Sequence, residues 1–167
     1  MKKAIDRTKR ILTIYYLFYE CEEIEFREIT DPIPVSKKTV YRDIRFLEQA
    51  GLIRARFDHR AQAFIPQSTE GLQPVFPENQ TQRRYMERII RLCYIMTHID
   101  GEENPIAWYT AQFPKLSART RQRDFALLNE LGISIYYAPQ FCDEPGHWVC
   151  DAPDAFGLST LHVKPGR

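Results

Sequence analysis

The sequence predicts a mainly α-helical protein with small β-hairpins, organised as two similar halves. Two observations support this prediction. The phrase VSKKTVYRDIRFLEQAGLI, residues 35–53, returns as LSARTRQRDFALLNELGIS 81 residues later, with no gap. The same order of helical and strand patterns also surrounds both copies. Self-similarity at a fixed distance is typical of a chain that repeats one supersecondary unit.

Six positions of the two phrases carry the same residue. They are Ser36 and Ser117, Thr39 and Thr120, Arg42 and Arg123, Asp43 and Asp124, Leu47 and Leu128, and Gly51 and Gly132. Residues 66–81 lie between the repeats and hold three prolines, a glycine and many uncharged polar residues, a composition typical of a linker. We therefore expect a first domain at 1–65, the linker at 66–81, a second domain at 82–150 and a C-terminal tail at 151–167.

In the first half, apolar residues at helical spacing predict a helix over 5–19. A shorter helix over 26–30 ends at the Asp-Pro-Ile-Pro stretch. Ser36 is then suited to cap a helix over 37–50, which Gly51 ends in the left-handed conformation. The segments LIRARF and QAFI, separated by a turn at 58–60, predict a two-stranded hairpin.

The second half repeats this plan. Helical spacing predicts a long helix over 83–97, and Asn104 is placed to cap a short helix that extends to residue 112. Ser117 caps a third helix, which ends at Gly132, and ISIYYA and HWVC form a hairpin joined by a loop over 139–146. Helix, helix, turn, helix and hairpin is the order of a winged helix-turn-helix. The sequence predicts two such domains in tandem.

Each third helix is expected to bury one apolar stripe. The predicted core residues are Ile14, Val40, Ile44 and Leu47 in the first half, and Ile89, Leu92, Ile95, Met96, Phe125 and Leu128 in the second. The two repeated aspartates would repel phosphate, so we interpret them as structural. Asp43 is expected to accept hydrogen bonds from Arg7 or Arg10, and Asp124 from Arg88 or Arg91, which have the same spacing.

The composition is that of a folded globular protein, with 44% hydrophobic and 27% charged residues. A net charge of +1 gives no global reason to expect nucleic acid. Residues 35–60, however, contain seven Lys or Arg residues against three Asp or Glu. A basic patch of this kind is a local electrostatic signal for a polyanionic partner.

Other classes of function receive no support. The N-terminal segment resembles a secretory signal but lacks a small-residue cleavage site, so we expect an amphipathic helix, a cytoplasmic protein and no membrane partner. The four cysteines are expected to be free thiols. Cys142, His147 and Cys150 match no usual zinc framework, and no metal or cofactor is predicted. No catalytic constellation is recognisable, so we do not expect an enzyme.

The first phrase closely resembles the helix-turn-helix of DeoR-type and WYL-type transcriptional regulators. The family pattern V-S-x-x-T-x-x-R-D-I-x-x-L-x-x-x-G is matched at Val35, Ser36, Thr39, Arg42, Asp43, Ile44, Leu47 and Gly51. The second phrase keeps much of this pattern. No stretch of the chain resembles the sensor or WYL domain of those regulators, so the resemblance implies no effector pocket.

The resemblance implies binding of double-stranded DNA, with the helix from Lys37 in the major groove and the hairpin as a wing on the phosphates. The candidate contact residues share exposed positions and polar or basic side chains. They are Lys37, Lys38, Thr39, Tyr41, Arg42 and Arg45 on the first helix, Arg54, Arg56 and Arg60 on the wing, and Arg119, Thr120, Gln122 and Arg123 on the second helix.

Two alternatives stay open at this point. The chain is either a sequence-specific transcriptional regulator or a tandem winged-helix adaptor for proteins, of the kind found in chromosome segregation. The second helix replaces Val40 with Arg121 and Tyr41 with Gln122. Such a helix suits either a non-identical DNA half-site or a dimer contact, and a homodimer is one arrangement that the sequence allows.

Overall fold

The computed structural model describes residues 6–151. Within that range the elements, in chain order, are α1 (Arg7–Glu20), β1 (Ile24–Glu25), α2 (Phe26–Thr30), α3 (Lys37–Gln49), β2 (Ala55–Asp58), β3 (Ala63–Pro66), α4 (Gln80–His98), α5 (Pro105–Gln112), α6 (Ala118–Glu130), β4 (Ser134–Ala138) and β5 (His147–Asp151). The predicted fold class, mainly α with small antiparallel sheets, is confirmed at this level. Apart from Asp151, the predicted tail lies outside the described residues.

The chain divides into two compact units, and the division falls between Cys93 and Tyr94, inside α4. Unit 1 contains α1 to β3 with most of α4, and unit 2 contains the end of α4 with α5 to β5. The predicted apolar side chains of α4 (Ile89, Leu92, Ile95 and Met96) are all buried. Among the described residues, no helix has both the length and the apolar character needed to cross a bilayer.

Unit 1 is held together by the predicted apolar stripe. Ile14, Val40, Ile44 and Leu47 are at most 4% exposed. Its sheet has the strand order β1-β3-β2 and is antiparallel throughout, with Phe57 opposite Phe64 in the hairpin. Strand β1 was not predicted, because two residues directly before a helix are too few to show the alternation that indicates a strand.

The two ends of α3 have the predicted caps. Ser36 Oγ accepts a hydrogen bond from the backbone N–H of Thr39 at 3.2 Å. At the other end Gly51 has φ +71°, and a Cβ there would lie only 3.0 Å from the backbone of Gln73. Glycine is therefore required both by the left-handed backbone and by the close approach of the segment that follows the hairpin.

Unit 2 repeats this local structure. Helix α6 has the length of α3 and begins and ends 81 residues later. Ser117 caps it through the N–H of Thr120 at 3.2 Å, and Gly132 beyond its end has φ +93°. Asn104 caps α5 as predicted, and β4 pairs with β5 in an antiparallel hairpin. The sequence repeat is therefore also a repeat of helix bounds and caps.

Candidate nucleic-acid interface

Helix α3 carries a basic stripe on the side opposite its buried face. Lys38, Arg42 and Arg45 are exposed and recur at i, i+4 and i+7. In a helix with 3.6 residues per turn these positions lie on one side, about 180° from the centre of the buried face. The ends of the three side chains are therefore presented together to solvent. We call this set the basic stripe.

Tyr41 and Lys37 lie beside the basic stripe and contact aromatic rings of unit 1. The ring of Tyr41 is 5.6 Å from that of Phe26 and 5.8 Å from that of Phe64, and its exposed fraction is 44%. Lys37 Nζ lies 5.2 Å from the centroid of Phe26. Part of the ring of Tyr41, a predicted contact residue, thus packs α3 against α2 and the sheet, and the rest of the ring is exposed to solvent.

The hairpin that follows α3 exposes all three predicted arginines, Arg54, Arg56 and Arg60. Its turn is fixed by Asp58, whose carboxylate accepts the backbone N–H groups of Arg60 at 2.8 Å and Ala61 at 3.2 Å. The hydrogen bonds from Ala61 and Arg60 lower the pKa of Asp58. The turn is therefore ordered by its own side chain and presents Arg60 at the tip of the hairpin.

Asp43 is buried beneath the basic stripe and pairs with Arg10 of α1. Arg10 donates to both carboxylate oxygens, from Nε to Oδ2 and from Nη2 to Oδ1 at 3.2 Å. The two side chains are only 12% and 4% exposed. The hydrogen bond to Asp43 raises the pKa of Arg10. The structural role predicted for Asp43 is confirmed, with Arg10 as the donor.

The second predicted donor, Arg7, has other neighbours. Its guanidinium lies 5.4 Å from the ring centroid of Phe46 and 5.0 Å from that of Tyr85. Phe46 is on the flank of α3, so Arg7 also contributes to holding this helix, through cation–π contacts. Helix α3 is therefore tied to the rest of unit 1 on both sides of its basic stripe.

In unit 2 the buried Asp124 accepts a hydrogen bond from Tyr109. The distance from Tyr109 Oη to Asp124 Oδ2 is 2.7 Å, and the two residues are each 1% exposed. The sequence did not suggest Tyr109, because the matching position of the first half holds Glu28. Donation from Arg88 or Arg91 stays a prediction.

The outer face of α6 is less basic than that of α3. Arg119, Gln122 and Arg123 are exposed, as predicted. The positions that match Arg45 and Gln49 are, however, Ala126 and Glu130. The outer face of α6 therefore carries two cations and one carboxylate, where that of α3 carries three cations and none.

The two repeated threonines belong to the helix caps. Thr39 and Thr120 are only partly exposed, and their hydroxyls lie 3.0 and 3.1 Å from those of Ser36 and Ser117. When the serine hydroxyl is the donor in this pair, the threonine hydroxyl keeps its own proton and can donate it to a phosphate oxygen. Their predicted contact with DNA would thus come from a fixed position at the start of each helix.

The four cysteines, all within residues 6–151, are thiols and form no disulfide there, as predicted. Burial raises the pKa of Cys150 to about 11 and raises that of Cys93 well above the usual value. Both thiols are therefore protonated, weak nucleophiles at neutral pH. Within residues 6–151 no group of three or more His, Cys, Asp or Glu side chains is placed to hold a metal ion.

Comparison of the chain with protein-family models, with curated proteins and with solved structures found no match. Evidence for a function therefore comes from the side chains themselves. The feature with the clearest chemistry is the basic stripe of a well-anchored helix, followed directly by a hairpin with three exposed arginines. Cationic groups on a rigid support suit a polyanion with regularly spaced phosphates.

Proposed function

We propose that the chain is a sequence-specific, double-stranded DNA-binding transcriptional regulator, built from two tandem winged helix-turn-helix domains and acting in the cytoplasm. The observation that carries the proposal is the basic stripe Lys38, Arg42 and Arg45, exposed on the side of α3 opposite the buried Val40, Ile44 and Leu47. The resemblance of residues 35–53 to the DeoR-type recognition helix supports the same conclusion.

The dimensions of the basic stripe suit a duplex. Lys38 and Arg45 are seven residues apart, which corresponds to about 10 Å along the helix axis and to about three base pairs of DNA. An α-helix fits in the major groove, where arginine can donate to O6 and N7 of one guanine. We assign base contact to Arg42 and Arg45, and phosphate contact to Lys37 and Lys38, which lie at the start of the helix.

The hairpin is proposed as a wing on the neighbouring phosphates. Arg54, Arg56 and Arg60 are exposed, and none of them has an acidic partner within 4.0 Å among the described residues. Side chains of this kind give affinity without reading the sequence. In unit 2 the exposed face of α6, with Arg119, Gln122 and Arg123, is proposed to contact a second, non-identical DNA segment.

The proposal is tested by selecting duplexes from a random pool at a fixed, stated salt concentration and then measuring affinity by fluorescence anisotropy. We expect a short motif to be enriched, and the logarithm of the affinity to fall linearly with the logarithm of salt concentration. If no motif is enriched and the protein fails to bind duplex even at low salt, the proposed function is wrong.

Replacing Arg56 and Arg60 together with alanine is expected to weaken binding to all sequences alike. Each lost phosphate contact should reduce the magnitude of the salt slope by about 1. The matched control replaces Arg83 and Arg84 of α4 with alanine, which changes the net charge equally on another exposed segment. An effect confined to one motif would show instead that the hairpin reads bases.

A protein-interaction adaptor is the second candidate, and one observation favours it. The second hairpin exposes Tyr136, Tyr137 and Phe141 by 52%, 53% and 76%. Aromatic side chains exposed on one hairpin are typical of protein contact surfaces. An adaptor would bind its partner without enriching any motif in the duplex selection, so the same experiment separates the two candidates.

A further inference from the structure

The hairpin of unit 2 differs in chemistry from the hairpin of unit 1. At the repeat spacing, Tyr137 replaces Arg56 and Phe141 replaces Arg60. Residues 134–151 contain no Lys or Arg but include three carboxylates, Asp143, Glu144 and Asp151. We call residues 134–151 the acidic-aromatic hairpin. It has the same position in the second half as the basic hairpin has in the first, but its carboxylates repel phosphate.

The base of this hairpin is rigidly attached to α6. Asn129 near the end of α6 binds the backbone of Ile135 like a neighbouring strand, accepting from its N–H at 2.8 Å and donating to its carbonyl at 3.0 Å. Ile135 and its cross-strand partner Cys150 are buried, and the Cys150 carbonyl accepts from the N–H of Gly101 at 3.1 Å. A surface with a fixed base loses little conformational entropy when it binds a partner.

Two aromatic rings farther along the hairpin, those of Tyr137 and Trp148, order each other. Tyr137 lies opposite Trp148 with a ring separation of 5.6 Å, and its hydroxyl covers Gly146 so closely that a Cβ there would clash with it. Tyr136, on the opposite face, lies across from Val149. Tyr137 and Trp148 are therefore held in defined positions.

Carboxylates accompany these rings. At the tip, Phe141 and Glu144 exchange backbone hydrogen bonds at 3.2 and 3.0 Å, which brings an acidic residue beside the most exposed ring. Asp143 lies within the same turn. At the base, Asp151 points to the same face of the hairpin as Tyr136. Tyr136 lies opposite Val149, and Asp151 comes two residues after Val149 on the same strand, where alternate residues point to the same side.

We propose that the acidic-aromatic hairpin is a docking surface for a basic segment of a partner protein, one in which arginine or lysine alternates with apolar residues. Charge complementarity favours this occupant: a guanidinium or ammonium group gains from the face of an aromatic ring and from an adjacent carboxylate. A second copy placed with its hairpin against this one would bring like charges together. Duplex DNA would be repelled by the same carboxylates.

This inference does not depend on DNA binding by unit 1. The residues involved lie on α6 and the second hairpin, and the basic stripe of α3 plays no part. The double variant Arg56→Ala with Arg60→Ala, which is expected to weaken the proposed DNA binding, should leave partner binding by the acidic-aromatic hairpin unchanged. The two proposals can therefore fail separately.

The test uses the full chain with Trp108→Phe, so that Trp148 is its single tryptophan and reports on the hairpin. The probe is a short synthetic peptide of alternating arginine and leucine, and the control peptide alternates glutamate and leucine. We expect the fluorescence of Trp148 to change on titration with the basic peptide only. The change should weaken as salt is raised, because part of the attraction is electrostatic.

Variants locate the binding surface. Phe141→Ser and Tyr136→Ser are each expected to weaken peptide binding about tenfold, which corresponds to about 1.4 kcal/mol. Asp143→Asn with Glu144→Gln should weaken it and reduce its salt dependence. The matched control is Val75→Ser, which changes a 64% exposed apolar residue of unit 1 and should leave binding unchanged.

Three results would overturn the proposal. They are equal binding of both peptides, no binding of the basic peptide, and equal loss of binding in Val75→Ser. Sedimentation velocity of the full chain identifies one rival occupant, because self-association that Phe141→Ser abolishes would assign the surface to a second copy. Peptide binding that appears only after removal of residues 152–167 would assign it to that segment of the chain.

Discussion

Asp43→Ala is expected to lower the free energy of unfolding by about 3–5 kcal/mol, the effect of removing one partner of a buried ion pair. Arg10 donates to both oxygens of Asp43, and both side chains are largely shielded from water. The substitution leaves the guanidinium of Arg10 with its charge and without that acceptor. The expected loss is therefore larger than the contribution of the pair itself, and chemical denaturation followed by circular dichroism measures it.

Two comparisons separate this mechanism from a general loss of charge. Glu87→Ala removes one partner of the ion pair between Glu87 and Arg83. Both side chains are about half exposed and lie 3.3 Å apart, so the substitution should lower the free energy of unfolding by less than about 1 kcal/mol. Replacing Arg10 with methionine and Asp43 with leucine together should restore much of the stability, because no unpaired charge stays buried. If Asp43→Ala behaves like Glu87→Ala, the buried pair is not what anchors α3.

The parts of the fold that the sequence predicted well depend on local chemistry. Ser36 and Ser117 accept hydrogen bonds from backbone groups three residues away, and Gly51 adopts a positive φ at the end of α3. Each of these features involves only residues within about one turn of the helix end. Burial of Val40, Ile44 and Leu47 follows from their spacing alone. For the same reason the spacing also indicated which side of α3 would be exposed.

The parts that the sequence did not predict depend on contacts between distant segments. Strand β1 exists because Ile24 pairs with Phe64, forty residues later in the chain. Tyr41 was expected on the outward side of α3, and it is 44% exposed, but its packing against Phe26 and Phe64 was not predicted. No neighbour in the sequence within one turn of Ile24 or Tyr41 indicates that these two residues will contact Phe64. The Arg10–Asp43 pair is an exception, since the repeat spacing that Arg7 and Arg10 share with Arg88 and Arg91 had already named Arg10 as one of two candidate donors.

Arg42→Ala is expected to weaken binding to the selected DNA motif by about 1–3 kcal/mol, the contribution of one good contact to a base. Arg42 is exposed at the centre of the basic stripe, while its neighbour Asp43 is buried with Arg10, so the backbone beneath Arg42 is held in place. Removal of an exposed side chain should leave the free energy of unfolding nearly unchanged. The affinity for unrelated duplexes should fall much less than that for the motif.

Arg42→Lys is the sharper variant, because it keeps the positive charge and removes the planar fork that can bind O6 and N7 of guanine together. We expect Arg42→Lys to retain the salt slope and to lose most of the preference for the motif. Arg123→Ala, at the matching position of α6, should also weaken binding, and footprinting should map its effect to a different DNA segment. If Arg42→Lys preserves the preference for the motif, Arg42 contacts phosphate and the bases are read elsewhere. If Arg123→Ala changes neither affinity nor footprint, α6 is not a second reading helix, and unit 2 serves protein contacts alone.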